Sequence, residues 1–428
     1  MFTYTLLGRE NLEKFVVVGG KKLQGTIRVS GAKNAVLPIL AASILSSERT
    51  CIIEEAPALG DIHVMTEILR KLGAHVTSRR GGILEINTDG MSNCEIPEEL
   101  SSMMRASFFT VGPLVAKFGD AQICQPGGCV LGPRPIDLHL DGLRTLGAEV
   151  SVKENYIKVH ADNLRGAVIR FRYPSVGATE NVMAAACLAD GATVIENAAK
   201  EPEVVDLAAF LNRMGAKIED AGTSTIRING VKKLVGARHR VIPDRIEAGT
   251  YMVASAITEG AAAIENIVPE HLETLIIMLK RANIRIKKGK ESIEVGHKGT
   301  LRPLNATTAP YPGFPTDMQP FLTALLSTAN GTSTIIETVF KQRFAYVTEL
   351  KKMGADIEVR GNSAIIKGVK KFRGADIAAT DLRGGAALIL AGLAAEGETV
   401  IGHIFHIDRG YQNIEEKLGQ LGARIYRT

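Results

Sequence analysis

Residues 30–45 read Ser-Gly-Ala-Lys-Asn-Ala-Val-Leu-Pro-Ile-Leu-Ala-Ala-Ser-Ile-Leu, a polar loop carrying Lys33 and Asn34 and then a helix apolar on every side. A helix without a polar face has to be buried, because no stripe of it can be left to water. The same pattern returns near residues 103–107, 176–181, 248–252, 316–319 and 381–385. Between these copies lies a second signature, an amphipathic helix that stops at Leu-Gly-Ala or a close variant and leads into a strand, a turn and a strand. It begins at Ile68, Leu143, Leu211, Leu350 and Leu418, and a degenerate copy at 279–286 has lost the glycine. Glycine fits the left-handed position that closes a helix, and the β-branched alternation that follows predicts a strand.

The copies recur at about 70 residues, too long for a solenoid and right for subdomain-sized units. Each unit runs buried helix, strand, loop, amphipathic helix, strand, strand, with the strand before the loop plain at 50–54, 193–196, 262–265, 334–337 and 399–401. One all-apolar and one amphipathic helix per unit imply an α/β fold with an inner and an outer helix layer on mixed sheets. Six units in two groups of three suggest two domains, as does a length of 428 residues. The boundary is expected near Ile242-Pro243-Asp244, giving a domain over 34–242 and a second over 1–33 plus 243–428, with a cleft between them. The strand Phe15–Val18 is expected to pair in the second domain, because the last unit ends without its closing strand. Two chain crossings would suit hinge closure.

Composition adds limits. With 45% hydrophobic and 23% charged residues the chain is ordinary for a globular protein, and a net charge of +5 fits anionic small molecules better than nucleic acid. Five scattered cysteines argue for a reducing compartment. No signal peptide is expected from the first residues, and no apolar run reaches the roughly 20 residues that span a membrane. A cytoplasmic location without a membrane partner is the expectation. The polar groups cluster where the buried helices start, and a helix start favours anions, so these starts are read as a site for anionic substrates.

One connection departs from the repeat. Residues 125–137 read Gln-Pro-Gly-Gly-Cys-Val-Leu-Gly-Pro-Arg-Pro-Ile-Asp, a Gly- and Pro-rich segment of the kind that carries function. Cys129 is either a small buried residue or a reactive thiol, and its Gly and Pro neighbours with Arg134 nearby favour the thiol. Cys124 fits the strand pattern. Asp317, read alone, is either a capping residue with Thr316 or a catalytic carboxylate.

Gly-Cys129-Val-Leu-Gly-Pro-Arg134-Pro, Gly-Ala-Lys33-Asn34-Ala, Pro-Ser175-Val176-Gly177-Ala-Thr-Glu-Asn181, Phe-Pro-Thr-Asp317-Met-Gln and Asp381-Leu-Arg383 together resemble the UDP-N-acetylglucosamine enolpyruvyl transferases. The resemblance runs from about residue 13 to the C-terminus. It implies two inside-out α/β barrels of three repeated units each. It also implies transfer of the enolpyruvyl group of phosphoenolpyruvate to the 3′-hydroxyl of UDP-N-acetylglucosamine, the step that opens peptidoglycan synthesis. The route would pass through a tetrahedral ketal, and no cofactor or metal is expected. Cys129 would be the proton donor and the residue alkylated by fosfomycin, and Asp317 the base at the sugar hydroxyl. Lys33, Arg134 and Arg409 would hold the phosphate and carboxylate of phosphoenolpyruvate, with Asn34, Arg343 and Arg383 beside them. Asn34, Arg105, Arg134, Pro135, Ile136, Asp137, Leu138, Ser175, Val176, Gly177, Asp317 and Val339 would contact the nucleotide-sugar.

The segment Phe340-Lys341-Gln342-Arg343-Phe344 departs from the family's usual Phe-Glu-Asn-Arg-Phe, keeping the arginine, and about ten residues precede the usual start. Phosphate-loop, zinc-protease and Cys-x-x-Cys motifs are absent from the sequence, and a metal pair at His403 and His406 is not expected. The rival within the fold is a shikimate-pathway enolpyruvyl transferase, which lacks the Gly-Gly-Cys loop. A nucleic-acid clamp would instead predict an exposed basic face.

Overall fold

A computed structural model describes residues 13–124 and 136–428. The expected thiol loop, with Cys129, Arg134 and Pro135, falls outside the described residues. Among those described, the strands form six four-stranded sheets built to one plan. In one of them, Asn305–Thr307 and Thr332–Ile336 are parallel, and Ser363–Lys367 then runs antiparallel to Thr332–Ile336 and to Asp356–Arg360. The buried helix Gln319–Leu326 bridges the parallel pair, and Val347–Lys352 leads into the closing hairpin. Along these strands burial alternates residue by residue, so one face of each sheet lies on the core.

The chain divides into two compact units, one from Gly31 to Ile242 and the other taking residues up to Ser30 with Pro243–Thr428. In the first, the helices Lys33–Ala42, Val111–Phe118 and Val176–Ala186 pack at the centre. In the second, Arg245–Ile257, Gln319–Leu326 and Leu382–Ala394 pack on one another. Leu388, Ile389 and Leu390 are wholly buried although consecutive, so all sides of that helix are covered. Each such side chain contributes about 1.5–3 kcal/mol on leaving water. Six apolar helices inside and sheets outside match the inside-out α/β organisation expected.

Each unit completes its ring with strands of its own that are distant along the chain. Arg238–Arg240 lies parallel to Cys51–Glu54, and Gln24–Arg28 lies parallel to Ala261–Glu265. Phe15–Val18 sits between Glu398–Gly402 and Arg424–Arg427, closing the last sheet as expected. Four of the leading strands, Val168–Arg170, Arg238–Arg240, Asn305–Thr307 and Asp376–Ala378, have three residues and a single buried position each. That is too short for an alternation to show, and the repeat order read from the sequence omitted them.

Two local details bear on the site. In all five Leu-Gly-Ala-like stops the glycine has positive φ, between 89° and 107°, as the helix-closing role requires, and Asn283 keeps that conformation in the degenerate copy at φ 72°. The fourth inner helix begins at Arg245, directly after the expected boundary at Ile242-Pro243-Asp244 and ahead of the apolar stretch at 248–252. Asp244 caps it, its carboxylate accepting from the backbone N–H of Ile246 at 2.8 Å and Glu247 at 3.0 Å.

Candidate active site

In the Gly31–Ile242 unit the charged start of the first inner helix is buried. Gly31 precedes it because a Cβ there would come within 2.0 Å of the Glu55 carbonyl oxygen. Lys33 is then the first helical residue, and its Nζ lies 3.0 Å from Asp61 Oδ2 with both side chains buried. Asn34 follows and is exposed. Pro38 has no N–H to give the Asn34 carbonyl, which leaves an acceptor one turn into the helix.

The third inner helix starts at Val176. Ser175 caps it, its hydroxyl accepting from the Ala178 N–H at 3.3 Å, and Gly177 packs closely on His139 and Phe109. A first turn of N–H groups with a hydroxyl cap suits an anion. Behind it Asn181 is fully buried: its Oδ1 accepts from Gly112 N at 2.8 Å, and its Nδ2 donates to the Phe108 carbonyl and faces His139 Nδ1. Burial, with the positive Arg105 nearby, lowers His139 to about 3, so the ring stays neutral. Arg105 opens the short helix Arg105–Thr110. Ile136 and Leu138 flank Asp137, the first residue of Asp137–Thr145, whose carboxylate is paired with Arg172.

In the other unit Asp317 is the centre of a charge cluster. Its Oδ1 accepts from Arg343 Nη2 at 3.0 Å, and its Oδ2 accepts from Arg383 Nε and Nη2 at 3.3 and 3.2 Å. Both guanidinium groups are almost wholly enclosed, while the Asp317 side chain is 28% exposed. The cluster therefore shows water or a ligand one partly open carboxylate on a cationic floor. Arg343 also donates from Nε and Nη2 to the Thr316 carbonyl and lies 3.8 Å from Asp381. Asp381 caps the helix Leu382–Ala394, accepting from the N–H groups of Arg383 and Gly384. The cap position of the turn Thr316–Met318 falls on Pro315, which makes no side-chain cap bond, and the Thr316 hydroxyl is not aimed at this turn. Thr316 reaches Glu337 instead.

Glu337 organises the next loop. It accepts from Thr308 and Thr316 hydroxyls, each at 2.9 Å, and from the backbone N–H groups of Val339 at 2.7 Å and Phe340 at 3.2 Å. This fixes the backbone that carries Val339. The altered residues Lys341 and Gln342 are exposed, and Arg343 beside them is buried, so the departure from the usual segment leaves the cluster untouched. Arg409 follows the short helix Phe405–Asp408 and is half-buried. Burial, and next the charge of Arg409, lower the pKa of His406.

Of the residues expected in the site, Asp317, Arg343 and Arg383 meet directly. Lys33 pairs with Asp61, which sequence reasoning had not singled out. As an acid in the first turn of an amphipathic helix, Asp61 looks like a complement to the helix dipole. Glu337 was also missed, although it shares the parity of buried Ser333 and Ile335 and so belongs to the core face of its strand. His403 has φ 57° at the end of its strand, as Glu55, Asn197 and Asn266 have at theirs, which gives it a turn role. No group of three or more His, Cys, Asp and Glu able to hold a metal ion occurs among the described residues. None of their helices is long and apolar enough to cross a membrane.

Comparison with known proteins agrees with this architecture. Residues 17–418 match the family model described as EPSP synthase (3-phosphoshikimate 1-carboxyvinyltransferase). The chain is 53% identical over 414 residues to UDP-N-acetylglucosamine 1-carboxyvinyltransferase 1 of Caldanaerobacter subterraneus subsp. tengcongensis, covering 97% of this chain and 99% of that protein. It is 51% identical to UDP-N-acetylglucosamine 1-carboxyvinyltransferase 2 of Carboxydothermus hydrogenoformans, covering 97% and 100%. Among solved structures, the enolpyruvyl transferase NikO from Streptomyces tendae superposes with a TM-score of 0.88 at 27% identity, covering 98% of this chain and 99% of that one. EPSP synthase from Acinetobacter baumannii, at 19% identity, shares the fold with a TM-score of 0.76 over 97% and 100% of the two chains. Repeat plan, charged helix starts and near-full-length likeness converge: the chain belongs to the enolpyruvyl transferase family.

Proposed function

We propose that this enzyme transfers the enolpyruvyl group of phosphoenolpyruvate to the 3′-hydroxyl of UDP-N-acetylglucosamine, releases phosphate, and works in the cytoplasm at the opening of peptidoglycan synthesis. What carries the reading is near-full-length identity above one half to two enzymes named for that transfer. The charge cluster supplies suitable chemistry. In the addition step the sugar oxygen bonds to the central carbon of phosphoenolpyruvate while the methylene carbon takes a proton. Elimination then expels phosphate and returns a proton from the methyl group, which restores the double bond.

Asp317 is assigned as acceptor of the sugar hydroxyl proton, since its carboxylate is the partly open member of its cluster. Arg343 and Arg383 hold it in place and balance charge as the proton moves. Cys129 is assigned as the acid that protonates the methylene carbon, a task a thiol can perform because it is mostly protonated near neutral pH. Lys33, Arg134 and Arg409 are assigned to the phosphate and carboxylate of phosphoenolpyruvate, with Asn34 nearby. Arg105, the backbone from Arg134 through Pro135, Ile136, Asp137 and Leu138, the helix start at Ser175, Val176 and Gly177, and Val339 are assigned to the nucleotide-sugar. The diphosphate suits the capped helix start.

The test is phosphate release from phosphoenolpyruvate with UDP-N-acetylglucosamine, with shikimate 3-phosphate, and with no acceptor. Release is expected with the nucleotide-sugar alone; release without acceptor, or with shikimate 3-phosphate instead, overturns the reading. Cys129→Ser is expected to lose most turnover, while Cys129→Asp keeps part of it and resists alkylation by fosfomycin. Full turnover by the Ser variant would take the thiol out of the mechanism.

A further inference from the structure

We propose that Tyr411 is a positioning residue that sets the Arg383 guanidinium against Asp317, through a directed chain of hydrogen bonds ending on the backbone of the helix Arg245–Ile257. The inference rests on the reading of Asp317 as the base. Its own evidence is the direction of the chain. Thr250 Oγ1 donates to the Ile246 carbonyl at 2.9 Å, which uses its single proton. The 2.8 Å contact between Thr250 Oγ1 and the Tyr411 hydroxyl must then have tyrosine as donor. A tyrosine oxygen that donates towards Thr250 turns its lone pairs elsewhere, and Arg383 Nη1 donates to it at 3.3 Å.

The other edge of the same guanidinium, Nε and Nη2, is the one on Asp317 Oδ2. Arg383 also lies over the Tyr411 ring, 5.5 Å from its centroid. One planar group is thus fixed on one edge by a phenol and presents its other edge to the carboxylate. Burial raises Tyr411 to about 12, against the opposing pull of Arg383, so the phenol keeps the proton it donates. Burial disfavours the charge of Arg383, but Tyr411, Asp317 and Asp244 together carry its pKa above the ordinary value, so it remains a cation. The neighbouring Arg343 has a separate backbone anchor in the Thr316 carbonyl. For Arg383 that service falls to a side chain, and a side chain can be edited.

Tyr411→Phe keeps the ring and its burial and deletes only the hydroxyl. The expected result is a kcat about tenfold lower for nucleotide-sugar-dependent phosphate release, with KM for both substrates within about twofold, as for losing one hydrogen bond to a charged group. The acidic limb of the kcat–pH profile should also move to higher pH, because a loosened guanidinium stabilises the Asp317 carboxylate less. Thr250→Val removes the acceptor for Tyr411 without touching Arg383, and should shift the limb the same way by less. Variants that melt like wild type and keep its kcat and acidic limb overturn the positioning role. So does a lower kcat with an unmoved limb, which would mark a packing effect. Asp317→Asn is the control: if it retains the acidic limb, the base assignment falls and this inference with it. If it loses the limb while Tyr411→Phe changes nothing, the positioning role alone is wrong.

Discussion

Glu337 and Glu180 are both buried glutamates, 3% and 1% exposed, and their surroundings are opposite. Two hydroxyls and two backbone N–H groups point at the carboxylate of Glu337. Both oxygens of Glu180 are without a hydrogen-bond partner. Burial raises the pKa of Glu180 well above the usual glutamate value, and the nearby Glu203 and Glu201 push it further. One fold therefore holds a carboxylate as a loop organiser and a carboxylic acid as a core side chain. Charge inside a protein is decided by the donors that reach it, and residue type settles little. Asp317 stands between the two, partly open and held by cations.

The largest expected effect is at that intermediate case. Asp317→Asn should lower kcat by about 10²–10⁴-fold, the range general-base removal commands, measured as nucleotide-sugar-dependent phosphate release. A fold-intact variant with a loss under about threefold would mean that the cation-held carboxylate is structural, like Glu337. Next in size, Glu337→Gln replaces an acceptor-only group by one with two donors, facing donors already in place. It should cost about 1–3 kcal/mol of stability and raise KM for the nucleotide-sugar through the loop at Val339, checked by melting and steady-state kinetics.

The same substitution at Glu180 should have the opposite sign. Above about pH 4 the unfolded chain gives up the glutamate proton. The folded chain keeps it, so stability falls as pH rises towards the folded-state value. Glu180→Gln removes that loss. Its melting temperature should equal or slightly trail wild type in acid and exceed it increasingly towards alkaline pH. A gap that closes as pH rises would mean that Glu180 is ionised in the fold, and the contrast with Glu337 would collapse.

How much of this could be read in advance depended on range. The buried helices announced themselves because their apolar residues are contiguous, as in 386–391. The helix stops were legible because Gly73, Gly147, Gly215, Gly354 and Gly422 each answer a local backbone demand, met by Asn283 in the sixth copy. The motif residues Lys33, Asp317, Arg343 and Arg383 were also named beforehand. Their partners were not. Asp61 meets Lys33 across 28 residues, and Tyr411 meets Thr250 across 161. Neither spacing carries a periodic signal, and Glu337 betrays itself only by strand parity. Local rules show where polar groups enter the core, while the tertiary fold decides which of them meet.

The strand Phe15–Val18 has a consequence for synthesis. It leaves the ribosome long before either of its neighbours, Glu398–Gly402 and Arg424–Arg427. At about 5–20 residues per second it waits some 20–80 s for a berth, exposing a run of Phe and three valines meanwhile. The Gly31–Ile242 body can complete all three of its sheets from its own residues long before that. A nascent chain halted before those two strands would hold one finished lobe and one open sheet, and that unfilled edge is where a chaperone, or a second nascent copy, would find its grip.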